Sequence, residues 1–144
     1  MGRNVLIILA AIGSLGAGTV SAQGYTLSVN VHKLHSDAGK LYLSLYNSPN
    51  GYPKNASVAY RLAFSAIEKG KATIVLDHIP RGVYAIACYH DENNNGKIDT
   101  NFFGIPTEGT GASNDARGSF GPPKFNNAKF KLEADTTLEI KIHY

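Results

Sequence analysis

The chain has 144 residues, a formal net charge of +3, one cysteine and no tryptophan. Its lysines and arginines are scattered and form no aromatic-interleaved basic stripe, which excludes nucleic acid as an expected partner. A lone cysteine excludes an internal disulfide, and the apolar run Ala85-Ile86-Ala87-Cys88-Tyr89 places Cys88 in the core and not at a reactive surface.

The chain opens with one positive charge at Arg3, an apolar run from Val5 to Ile12, and small residues ending Val20-Ser21-Ala22. This is the pattern of a secretory signal peptide cleaved after Ala22, and it predicts a periplasmic or secreted protein. Gly13, Ser14, Gly16 and Gly18 interrupt the apolar run. A membrane span needs about 20 apolar residues, so none is expected after cleavage. Residues 23–144 are then expected to fold as one domain.

Residues 25–34 alternate, with Leu27, Val29 and Val31 on one face and Thr26, Ser28, Asn30 and His32 on the other. That is the period of a half-buried strand. Turn residues at 36–39 lead into 40–46, where Leu41, Leu43 and Leu45 point inward, so the two segments predict a hairpin. Residues 47–53 break the pattern. An irregular or short helical connection is expected from Asn55 to Arg61, then a strand over 61–65, a turn at 68–71 and a short strand over 72–76. Residues 83–89 are apolar on both faces, the mark of a central strand covered above and below. Tyr84 at its start has the placement of the tyrosine that pins a corner in Greek-key sandwiches.

Residues 100–125 contain five glycines and show no alternation. Loops of this length are functional or disordered. Phe102, Phe103, Phe120 and Phe125 predict an ordered loop held by buried rings. Residues 128–132 and 137–143 predict a closing hairpin. With about seven strands and no βαβ alternation, the expected fold is an all-β, antiparallel Greek-key sandwich, prealbumin- or immunoglobulin-like, with one long ordered loop.

The chemistry concentrates in Asp91-Glu92-Asn93-Asn94-Asn95-Gly96-Lys97-Ile98-Asp99. Oxygen-bearing side chains at alternate positions with glycine sixth suit a loop around Ca2+, which takes six to eight oxygens and tolerates irregular geometry. Asp91, Asn93, Asn95 and Asp99 would ligate through side chains and Lys97 through its carbonyl, while Gly96 permits the turn. Phe102 stands where an EF-hand has its bidentate glutamate, so a further oxygen would come from Glu108, Asp115 or water. Two of the four side-chain ligands are uncharged asparagines, which predicts a weak site suited to extracellular calcium. The competing reading is a plain turn, since Asn-Gly alone favours one.

His90 with the loop carboxylates, and Ser113 or Ser119 as nucleophile, would be the parts of a hydrolase acting on envelope polymers. Neither serine lies in a Gly-x-Ser-x-Gly context. His32, His35, His78 and His143 show no zinc spacing and are expected at the surface. Glu108, Asn114 and Arg117 are candidate contacts of the long loop with a partner, a glycan or an envelope protein.

The strings Gly82-Val83-Tyr84-Ala85, His90-Asp91-Glu92-Asn93, Asn101-Phe102-Phe103-Gly104-Ile105-Pro106, Ser113-Asn114 with Ala116-Arg117, and Phe120-Gly121-Pro122-Pro123 closely resemble the bacterial family called domain of unknown function 2141. The resemblance spans the chain beyond the leader and is densest from Gly82 to Phe130. It implies an exported β-sandwich similar to prealbumin-like or carboxypeptidase-regulatory-like domains, brings no established activity, and implies that residues 91–125 act as one unit. The expected function is a non-enzymatic module whose calcium-stabilised loop presents a binding surface. The alternatives are the hydrolase and a purely structural module without metal.

Overall fold

The computed structural model describes residues 23–144, and the expected signal peptide at 1–22 lies outside them. Alternating apolar side chains give β1 (Tyr25–His32), β2 (Lys40–Tyr46) and β4 (Lys71–Ile79) one buried face each. β3 (Arg61–Ser65) follows a short 3-10 turn at Ala56–Val58, in line with the expected connection. β4 runs past the expected end to Ile79 through a bulge, where Tyr25 pairs with Ile79 but Leu27 with Leu76.

Two sheets form, one in the order β4-β1-β8 and one in the order β3-β2-β5-β6, where β5 is Gly82–Asp91, β6 is Thr110–Ala112 and β8 is Thr136–Lys141. A four-residue helix α1 (Phe125–Ala128) precedes β7 (Phe130–Leu132), which pairs with the first residues of β5. Leu27, Val29 and Val31 of the first sheet share one core with Leu41, Leu43, Leu45, Ile86 and Cys88 of the second. This is the all-β, two-sheet architecture expected.

Four expectations fail in detail. β1 and β2 form no hairpin, because β1 pairs with β4 and β8 while β2 pairs with β3 and β5. β7 and β8 likewise lie in different sheets. Alternation shows which face of a strand is buried, and either sheet of a sandwich can supply the cover. Nor is the fold purely antiparallel: β8 pairs with β1 in parallel, as the crossover from the other sheet permits. β6 lies inside the stretch expected to be loop, since three small residues, Thr110-Gly111-Ala112, carry no readable period.

β5 is central as expected, but its second face is only partly covered: Ala85 is buried, Ala87 and Tyr89 are half-buried and Val83 is exposed. Tyr84, Ile86 and Cys88 face the main core, and Ala85 joins a second cluster with Ala112, Ala128, Tyr52 and Phe125. Burial pushes the Cys88 thiol up to about 12, so it is unreactive. The Tyr84 hydroxyl donates to Pro80 O at 2.9 Å, the corner bond its position predicts.

Candidate functional site

β5 ends in two polar residues, His90 and Asp91, both fully buried (0% exposed). Adjacent strand residues point to opposite faces, so the two side chains serve different surroundings. A buried carboxylate is costly unless donors meet it. Here the following loop supplies them: the Asn95 N–H donates to Asp91 Oδ1 at 3.1 Å and the Gly96 N–H to Oδ2 at 2.8 Å. The chain doubles back because Gly96 takes φ +77°, a conformation that costs glycine little.

Asn93 Oδ1 accepts the Asn95 N–H at 3.1 Å, and Asn95 Oδ1 accepts the Lys97 N–H at 3.0 Å. The alternate side chains therefore turn their oxygens onto the loop's own backbone. Asp99 returns to meet them, accepting from Asn93 Nδ2 at 2.6 Å and from Asn95 Nδ2 at 2.9 and 3.0 Å. The Asn95 bonds, and then the Asn93 bond, hold the Asp99 carboxyl below its ordinary range. Asp91, Asn93, Asn95 and Asp99 are thus brought into one hydrogen-bonded set, with the exposed Lys97 on the turn between them.

Glu108 is buried, and its carboxylate spans the two ends of this loop. Oε1 accepts the Glu92 N–H and Oε2 the Asp99 N–H, each at 3.0 Å. This corrects the expectation of Glu108 as a partner contact, because its oxygens face inward and close the loop. No sequence period marks an isolated acid between Thr107 and Gly109.

Beyond Asp99 the chain makes a small excursion and returns, the Thr107 N–H donating to Asp99 O at 2.9 Å. Asn101 builds its tip: its Oδ1 accepts from the Phe103 and Ile105 N–H groups at 2.9 and 3.1 Å. Three of the four expected aromatic anchors are not anchors. Phe102, Phe103 and Phe120 are 97%, 82% and 106% exposed, and only Phe125 packs, against the cluster around Ala85. Asn101 satisfies the tip's backbone locally, so the rings are free to face outward. Phe102 and Phe103 meet edge to face at 5.5 Å, beside exposed Ile105 and Ile98.

Asn114 and Arg117 lie apart from the loop's hydrogen-bonded set. The Asn114 amide donates to Asn127 O and Lys129 O at 3.3 and 2.9 Å, which pins α1 to the preceding turn. Arg117 is exposed. Asp115, proposed as an extra calcium oxygen, instead accepts the Lys141 N–H at 3.1 Å. Ser113 is a buried tie rather than a nucleophile, since its hydroxyl donates to Ala128 O at 2.6 Å and accepts the Ile86 N–H at 2.9 Å.

On the other face of the strand end, His90 Nε2 lies 2.7 Å from Ala38 O and Nδ1 lies 2.7 Å from the Tyr144 hydroxyl. His35 stacks on the Tyr144 ring at 3.8 Å, and Glu92 reaches both histidines. Sequence reading missed this group: His90 and Glu92 stand two residues apart, but His35, Ala38 and Tyr144 reach them only through the fold.

The fold and loop thus define a two-sheet β protein with a polar turn fastened to its central strand. Over residues 29–141 the chain matches the model of a family described as an uncharacterized protein conserved in bacteria (DUF2141), and it belongs to that family. No curated protein and no solved structure matches it.

Proposed function

We propose that this is an exported, non-enzymatic binding module in which a calcium ion stiffens the 91–99 loop and so presents the apolar tip that follows it. The observation that carries this reading is the closure of the loop. Glu108 ties its two ends, and the Asp91, Asn93, Asn95 and Asp99 side chains converge within it. Asn93 and Asn95 now spend their amide N–H groups on Asp99. A cation would take the place of those donors, with each amide turned to offer its oxygen. Asp91, Asn93, Asn95, Asp99 and the Lys97 carbonyl are the proposed ligands, and two formal charges among them keep the affinity low.

Export is read from residues 1–22 and places the chain where calcium is millimolar. The exposed Ile98, Phe102, Phe103 and Ile105 suit an apolar patch on an envelope protein better than a hydroxyl-rich glycan. The hydrolase reading loses its base, because His90 is fully buried with both ring nitrogens engaged.

The test is a calcium titration of the purified protein followed through the Gly96 amide resonance. A saturating shift in the millimolar range, lost in Asp99→Asn, is expected. Retention of an envelope protein in calcium but not in chelator, abolished by Phe102→Ala with Phe103→Ala, would extend it to the tip. An amide that does not move with calcium would overturn the reading.

A further inference from the structure

The second face of the β5 end holds a different set of donors. Ala38 O can only accept, so the proton of neutral His90 sits on Nε2 and donates to that carbonyl at 2.7 Å. The Nδ1 lone pair is left facing Tyr144 Oη at 2.7 Å and Glu92 Oε1 at 3.4 Å. A histidine whose one ring N–H is fixed on a backbone carbonyl, with its other nitrogen aimed into a cluster, has the arrangement that orients metal-ligating imidazoles.

The cluster is completed by His35. Its Nε2 lies against Glu92 Oε1, and the ligand atoms of His35, His90 and Glu92 all fall within 4.8 Å of one another. Glu92 Oε1 is buried and, among the described residues, accepts no hydrogen bond despite these neighbours. A buried carboxylate oxygen facing two imidazole nitrogens, one of them a lone pair, is an arrangement that a bound cation would satisfy.

The framework is built around this point. Gly39 takes φ +74°, and a Cβ there would lie 1.8 Å from Asp91 O, so only glycine lets the 38–39 turn rest on the strand end and bring Ala38 O to His90. The Glu92 N–H is held by Glu108. The Tyr144 ring stacks on His35, and its hydroxyl accepts the His35 N–H at 3.2 Å. His90 is buried, while the His35 side chain is 52% exposed and leaves a way in from solvent.

We propose that His35 Nε2, His90 Nδ1 and Glu92 Oε1 bind a divalent transition-metal ion of the zinc class. Two imidazoles and one carboxylate suit Zn2+ and its neighbours, at about 2.0–2.2 Å from each ligand atom, and not calcium, which wants oxygen throughout. The ion takes the Nδ1 lone pair from the Tyr144 hydroxyl and separates His35 from Glu92. Its three ligands are none of the proposed calcium ligands, although Glu92 belongs to the same loop, so the two sites can be tested separately.

The test is titration of the chelator-stripped protein with Zn2+, in millimolar calcium, by isothermal calorimetry. One zinc per chain is expected. His35→Ala and Glu92→Gln should each weaken binding at least about tenfold, the scale seen for supporting residues of metal sites. Each variant should keep a cooperative metal-free melting transition, so weaker zinc binding reports lost ligation and not unfolding. Co2+ should give visible absorption of a low-symmetry, four-coordinate site in the wild type and lose it in both variants. Asp99→Asn, and His32→Ala at a half-buried histidine 3.8 Å from Glu139, should leave zinc binding intact. Absent zinc binding, equal binding in wild type, His35→Ala and Glu92→Gln, or loss of binding in Asp99→Asn would each overturn the proposal.

Discussion

The two ends of β5 are built on opposite terms. At the first, Tyr84 and Ile86 bury apolar surface between the sheets, and a single phenol bond to Pro80 O turns the corner. At the second, the same two-residue period delivers His90 and Asp91, equally buried but polar, and each is surrounded by donors and acceptors from distant segments. The first end is stabilising wherever water is excluded. The second gains less, because the cost of taking two polar groups from water offsets much of what their partners return. The polar pair therefore points to work done at that end, and the contrast predicts where substitutions act on stability and where they act on ligands.

The largest effect is expected at the first end. Ile86→Ala removes a fully buried side chain between the sheets and should cost about 2–5 kcal/mol in urea unfolding, with or without calcium. Glu108→Gln acts at the second end: it leaves an amide facing a backbone donor and should cost about 1–3 kcal/mol. Unlike Ile86→Ala, it should also shrink the stability difference between calcium and chelator. Tyr84→Phe deletes only the corner bond, so a loss of about 0.5–1.5 kcal/mol, unaffected by calcium, is expected from the same unfolding curves. Phe102→Ala with Phe103→Ala should be the mildest, within about 0.5 kcal/mol for each exposed ring by thermal melting. A large loss there would mean the rings pack after all.

What was legible in the sequence follows the same division. The doubly apolar 83–89 run, the corner role of Tyr84 and the buried Cys88 were readable because burial and period are local properties. So was the positive φ at Gly96 in a turn that returns to Asp91. The pairing of β1 was not readable, since Leu27, Val29 and Val31 demand cover without naming the sheet that gives it. Phe102 and Phe103 misled because hydrophobicity argues for burial, whereas Asn101 holds their turn without them. Glu108, His35 and Glu92 act only through tertiary approach, the first across the neck of the loop and the other two at His90. No pattern along the chain encodes that approach.

Whether calcium holds the 91–99 loop is decided by thermal unfolding in millimolar calcium and again in excess chelator, with Asp99→Asn run beside the wild type. Calcium that binds only the folded loop must raise the midpoint by mass action. The wild type should melt at a higher midpoint in calcium, and Asp99→Asn at the same midpoint in both conditions. Identical wild-type midpoints in calcium and chelator would contradict calcium binding at this loop.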